Sequence, residues 1–91
     1  MTDRRTQIDR LEAEGGTVRG VVITIDGDPV TDGIVLVRAD LEHGDPDGFV
    51  YSEALVGLGE FATEIPRQAA SGRAFYLGAA DYAPCEADWS R

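Results

Sequence analysis

The side chains best suited to bind a metal ion lie in one acidic loop. Four carboxylates fall within it: Asp40, Glu42, Asp45 and Asp47. Calcium takes about six to eight oxygen ligands, which a loop of this length could supply from carboxylates and carbonyls. The spacing lacks the Asp-x-Asp-x-Asp-Gly order and the closing Glu of an EF-hand. We therefore expect the 40–48 loop to be either a calcium-like cation site or a solvated acidic loop.

Two residues with proton-transfer or nucleophilic chemistry stand apart from any catalytic set. His43, the single histidine, lies in the same loop, where carboxylates would favour its charged form and suit a base or a pH sensor. Cys85, the single cysteine, precedes Glu86 and Asp88, which disfavour the thiolate. Because no base, nucleophile and orienting group occur together, we favour a protein that is not an enzyme.

A second polar group falls within predicted strands rather than in a loop. Glu53 shares a strand face with Tyr51, and a carboxylate there must be paired, exposed or protonated. Arg19 and Arg38 also interrupt strands and could pair with Glu53 across a sheet. The sequence thus suggests either a polar pocket or a mixed surface face. The pocket would consist of Tyr51, Glu53, Tyr76 and Arg38.

These residues would be positioned by short β-strands. Runs of β-branched and aromatic residues end at turn signals such as Asp26-Gly27 and Pro66. The predicted strands cover residues 17–25, 34–39, 49–56, 60–65 and 73–80. Their spacing predicts an all-β fold, a single small antiparallel sandwich of six or seven strands spanning residues 16–82. Residues 83–91 have no clear period and are expected to form a C-terminal tail.

Residues 1–15 are expected to lie outside the sandwich as a short N-terminal arm or weak helix. Ile8 and Leu11 are spaced as on one helix face, but two apolar residues are too few to hold a helix alone. Gly15-Gly16 would end it. We predict a segment that either frays or orders on a neighbouring molecule, with Ile8 and Leu11 as interaction anchors.

Two predicted strands are apolar on both faces. Successive side chains of a strand point to opposite sides, yet residues 21–25 and 34–37 are apolar at nearly every position. A sheet with one solvated face would alternate instead. The second face must therefore be covered by the arm, by the tail with Trp89, or by another subunit. We expect a homo-oligomer, the alternative being strands buried on both sides within a monomer.

The chain is strongly acidic. Seventeen acidic residues face eight arginines and no lysine, which gives a net charge of −9. Such a surface repels phosphate, so nucleic acid and anionic membranes are excluded as partners, whereas a basic protein or a cation fits. We favour a second explanation of the acidity, namely that it reflects a high-salt organism. A polar N-terminus with no apolar segment behind it, and no long apolar run, favours a cytoplasmic protein.

The predicted first hairpin resembles that of a known family. Gly20-Val21-Val22 and the following Gly-Asp-Pro-Val turn of residues 27–30 resemble the opening of carboxypeptidase regulatory-like domains. Gly59-Glu60-Phe61 resembles the Gly-x-Phe strand of that family, although Ile34 and Asp81 depart from its pattern. The resemblance implies a transthyretin-like Greek-key sandwich that acts as a non-enzymatic accessory module. Enzymes of similar fold need several histidines, and this chain has one.

Three functions remain open at this point. We favour a non-catalytic protein-interaction or accessory module, oligomeric, that binds a protein partner or itself. The alternative is a small-molecule or cation-binding domain that uses the 40–48 loop. The third is an enzyme whose site lies at a subunit junction, where Tyr, Glu and Arg would supply acid–base groups.

Overall fold

The protein is an all-β sandwich of seven strands, seen in a computed structural model that describes residues 3–40 and 49–91. The strands are β1 Thr6–Glu14, β2 Thr17–Thr24, β3 Ile34–Asp40, β4 Phe49–Leu55, β5 Glu60–Glu64, β6 Ser71–Tyr76 and β7 Cys85–Ser90. They form two antiparallel sheets, of order β1-β2-β5 and β4-β3-β6-β7. The described residues contain no helix. The expected small antiparallel sandwich is therefore confirmed.

The turn after β2 forms as its residue types predict. Gly27 has φ 95°, which suits glycine, and its N–H donates to the Thr24 carbonyl at 2.8 Å. The buried Thr24 hydroxyl accepts the N–H of Asp28 at 3.1 Å. These bonds end β2 and send the chain across to the other sheet, where β3 begins at Ile34.

Residues 6–14 form strand β1, not the expected helix or loose arm. β1 runs antiparallel to β2, from Thr6 opposite Thr24 to Glu14 opposite Thr17. Ile8 and Leu11 pack against the core. A β-bulge between Asp9 and Glu12 inserts one extra residue, which turns the usual two-residue period into a three-residue step. The helical spacing of Ile8 and Leu11 therefore arises from a strand.

The C-terminal segment is also a strand. Residues 85–90 pair with β6 along their length, and Trp89 lies opposite Gly72 with 3% of its surface exposed. The indole Nε1–H donates to the Arg38 carbonyl at 3.1 Å. The alternation of Cys85, Ala87 and Trp89 towards the interior follows the strand period of two. The sandwich thus spans residues 6–90 and not only 16–82.

The core lies between the two sheets and is built mainly from small and β-branched side chains. Its largest fully buried member is Tyr76. Other buried residues are Val18, Val22, Val30, Val35, Val37, Phe61, Ile65, Ala74 and Trp89. Along β2, β3 and β6 these residues alternate mainly with half-buried ones, so each sheet presents one face to the core and an outer face that is partly open to solvent.

Side-chain hydrogen bonds close the sandwich at both of its open sides. The Ser52 hydroxyl donates to the Glu64 carbonyl at 2.9 Å, which joins β4 to β5. The Thr6 hydroxyl donates to the Ala83 carbonyl at 2.7 Å, which ties β1 to the segment before β7. The outer faces of the two sheets are then the broadest surfaces open to a partner.

Candidate functional site: the outer sheet faces

The segments expected to cover the apolar outer faces belong to the sheets themselves. The N-terminal segment is the edge strand β1, and the C-terminal segment is the edge strand β7. Trp89 points into the core. Within residues 3–40 and 49–91, the outward side chains of the central strands therefore remain at the surface. Ile34 is 36% exposed and Leu77 is 56% exposed.

The outer face of the β4-β3-β6-β7 sheet, here the outer four-strand face, has an apolar centre. Leu36 on β3 lies directly opposite Phe75 on β6, and both are half-buried. Next to them, the Leu77 N–H donates to the Ile34 carbonyl at 3.0 Å, which places this second apolar pair alongside the first. Four large apolar side chains thus form a contiguous patch on the two central strands.

Carboxylates flank this patch on both sides. Glu53 on edge strand β4 lies opposite Leu36, and Glu86 on edge strand β7 lies opposite Phe75. One cross-strand row therefore runs carboxylate, apolar, apolar, carboxylate. With the usual strand spacing, about 14 Å separates the Cα atoms of Glu53 and Glu86.

The arginines of this face are neutralised locally. Arg73 Nε donates to Asp88 Oδ1 at 2.6 Å and Nη1 donates to Glu86 at 3.3 Å, and the bond to Asp88 raises the pKa of the guanidinium. Arg38 Nε lies 2.9 Å from Asp40 Oδ1 and forms an ion pair with it, but the Nε–H makes no hydrogen bond. The hydrogen bond between the two side chains is donated by Arg38 Nη2 to Asp40 Oδ2, at 3.4 Å. The electrostatic character of the face is therefore set by its surplus of carboxylates.

The four residues of the predicted polar pocket do not come together. Tyr51, Arg38 and Glu53 lie on the outer four-strand face, where Tyr51 pairs with Arg38 and is 49% exposed. Tyr76 lies on the opposite side of the same sheet, in the core. Its hydroxyl donates to the Asp32 carbonyl at 2.7 Å, and burial raises its pKa to about 12.

The predicted metal ligands lie mostly outside the described residues. Glu42, Asp45 and Asp47, together with His43, fall in the range 41–48. Asp40 ends β3 and holds Arg38. Among the residues that the structure describes, no three His, Cys, Asp or Glu side chains are grouped so that they could hold a metal ion.

Cys85 is a free thiol that is partly buried. Its side chain packs at the margin of the core, and burial raises its pKa, an effect opposed by a hydrogen bond with Thr6. The thiolate that nucleophilic chemistry requires is therefore disfavoured.

The outer face of the β1-β2-β5 sheet, here the outer three-strand face, carries a groove that sequence reasoning missed. It has a volume of about 630 Å³ and is lined by four charged residues, three apolar residues and two glycines, namely Arg10, Glu12, Arg19, Glu60, Val21, Phe61, Ala62, Gly20 and Gly57. The groove depends on the bulge in β1, which leaves no simple signal in the sequence. An apolar pattern that alternates again after one inserted residue is the only trace of it.

Comparison of the chain with protein-family models, with curated proteins and with solved structures gave no match. The carboxypeptidase regulatory-like resemblance therefore stays a prediction. Across the described ranges, no helix has the length and apolar character needed to cross a membrane.

Proposed function

We propose that the protein is a non-catalytic interaction module whose outer four-strand face docks a basic amphipathic helix of a partner protein. The observation that carries the proposal is the row Glu53, Leu36, Phe75, Glu86, in which two carboxylates flank two apolar side chains. Apolar sheet faces in proteins are covered by other elements, helices among them, because exposure of such a patch to water is unfavourable.

The dimensions of the row fit a helix. An α-helix with its side chains is about 10–12 Å across, and the two flanking carboxylates are about 14 Å apart at their Cα atoms. A helix resting on Leu36 and Phe75 would therefore reach Glu53 and Glu86 with the side chains on its two flanks. Lysine and arginine suit those positions because their stems cover apolar surface while their charges meet Glu53 on one flank and, on the other, Glu86, which would be shared with Arg73.

The charge of the whole chain supports a basic occupant over a second copy. With a net charge of −9, two copies repel each other at moderate salt, whereas a basic helix is attracted from a distance. An enzymatic role has no support from the described side chains. Cys85 is held as a thiol, and Tyr76 is buried with its hydroxyl bonded to a backbone carbonyl.

The test uses a synthetic peptide of about 14 residues, leucine-faced and lysine-flanked, which spans the length of the sheet as a helix. Binding is measured by calorimetry at physiological salt, against a scrambled peptide of equal composition. The ordered peptide should bind and the scrambled one should not, because only the ordered peptide presents a continuous apolar stripe. If the ordered and scrambled peptides bind equally well, binding depends only on the net charge of the peptide, and the proposal is refuted.

Matched variants locate the surface. Leu77→Gln should weaken binding roughly tenfold, since docking would cover the apolar surface that Leu77 leaves exposed. Ile25→Gln, in the turn after β2 and 59% exposed, should have no effect. Glu53→Gln should weaken binding by a few fold and Glu64→Gln on β5 should not. A dimer in solution that Leu77→Gln dissociates would make a second copy the occupant and overturn the helix.

A further inference from the structure

The groove on the outer three-strand face is lined by one of the two non-glycine residues that have positive φ in the described chain. Arg10, at φ 52°, lines the groove. The other, Leu58 at φ 51°, follows the lining residue Gly57 in the two-residue turn to β5, where a hairpin turn requires positive φ. A left-handed conformation is unfavourable for a side chain, and such strain concentrates at ligand-binding sites.

The bulge in β1 explains how Arg10 reaches the groove. Arg10 and Leu11 together oppose the single residue Gly20. Leu11 turns inward, where its Cδ1 would lie 3.3 Å from a β-carbon on Gly20, and Arg10 remains exposed on the outer side. Glycine would adopt the same backbone conformation without strain, so the Arg10 side chain can be removed while the bulge is kept.

Charges of both signs in the groove lack ion-pair partners. Glu12 lies opposite Arg19 in the β1–β2 register, and Arg10 and Glu60 line the same space. No ion pair within the described residues involves any of the four. Arg10 and Arg19 therefore present guanidinium groups that no carboxylate of the described residues neutralises. They offer donors to a carboxylate, while the glutamates offer acceptors to an ammonium.

We infer that this groove binds a zwitterionic ligand with an apolar side chain, either a free amino acid or a short peptide. Its carboxylate would lie at Arg10 and Arg19, its ammonium at Glu12 and Glu60, and its side chain against Val21 and Ala62. The volume of about 630 Å³ falls within the range of small-molecule sites. Two positive and two negative charges balance locally, which favours a zwitterion over a phosphate.

The probes are leucine, trileucine, leucinamide without the carboxylate, and N-acetylleucine without the ammonium. Binding is followed by changes in the backbone amide NMR shifts of Glu12, Arg19 and Ala62, at concentrations up to tens of millimolar because small ligands bind weakly. Leucine or trileucine should shift these amides, and the one that binds tighter identifies the source as free amino acid or peptide. Absence of shifts with both, or equal binding of either blocked compound, overturns the inference.

Arg10→Gly tests the residue at the bulge. Glycine accepts φ 52°, so the variant should keep the fold while losing binding tenfold or more. Arg5→Gln is the matched control, because Arg5 is exposed, precedes β1 and lies outside the groove. Retained binding in Arg10→Gly, with the fold intact by NMR, would also overturn the inference. None of these outcomes bears on the outer four-strand face, which lies on the other sheet.

Discussion

Gly72 is the position at which one added methyl group should disturb this sandwich most. A β-carbon there would lie 2.7 Å from the Trp89 indole and would also meet the Arg38 carbonyl oxygen. That carbonyl accepts the indole N–H, and β3 is held on β6 by the sheet pairing, so neither neighbour can move freely. Gly72→Ala must therefore displace Trp89 or separate β3 from β6.

The expected loss of stability follows from these contacts. Overpacking in a closed core costs about 1–3 kcal/mol. Loss of the hydrogen bond from Trp89 adds about 1 kcal/mol. The free energy of unfolding should fall by about 2–4 kcal/mol, out of roughly 5–14 kcal/mol for a domain of this size. Because Trp89 is the only tryptophan, its emission reports urea unfolding directly from the affected site.

Two other glycines serve as controls that separate crowding from backbone strain. At Gly57 an added β-carbon would have no neighbour within 4 Å and φ is not positive, so Gly57→Ala should leave stability nearly unchanged. At Gly15 the space is equally open but φ is 61°, so Gly15→Ala should cost about 1 kcal/mol through backbone strain alone. If Gly72→Ala unfolds at the same urea concentration as Gly57→Ala, Trp89 does not pack on Gly72 and the β6–β7 register is wrong.

Three further measurements test the corrected termini and the core. Leu11→Ala should lower the free energy of unfolding by about 2 kcal/mol, because Leu11 packs against the core. Leu58→Ala is the control and should not lower it, because Leu58 is 79% exposed. Equal effects of the two substitutions would mean that β1 is a loose arm. Tyr76→Phe should cost about 1 kcal/mol at neutral pH through its lost hydrogen bond. The pKa of Tyr76 is raised to about 12 in the folded state, from about 10 in the unfolded state. The free energy of unfolding of the wild type should therefore fall as the pH rises from about 10 to about 12. Urea titrations over this pH range should show a shrinking difference between the wild type and Tyr76→Phe. Cys85 should react with a disulfide reagent more slowly in the native protein than in urea, because burial raises its pKa; equal rates would place the thiol in solvent.

The candidate surfaces are only partly accessible to sequence reasoning. The doubly apolar pattern of residues 21–25 and 34–37 correctly indicates outer faces with apolar side chains. The row that joins Glu53, Leu36, Phe75 and Glu86 cannot be read from the sequence, since its members come from four strands. The sequence also suggests Tyr76 as a member of a polar pocket, whereas its side chain is buried in the core, because the pattern does not say which of two apolar strand faces is buried.

Local sequence is sufficient to define the all-β class and the position of the middle strands, because turn residues and β-branched runs act over a few residues. Asp26-Gly27 and Pro66 mark strand ends with chemistry that needs no distant partner. The two termini depend instead on tertiary contacts. The local sequence pattern is weak in residues 6–14 and 85–90. These segments become strands because β2 and β6 supply backbone hydrogen-bonding groups to them. They also bury Leu11 and Trp89 in the core. Strand pairing over long sequence separations also sets which charges face which apolar residues, and with them the surfaces that a partner or ligand can meet.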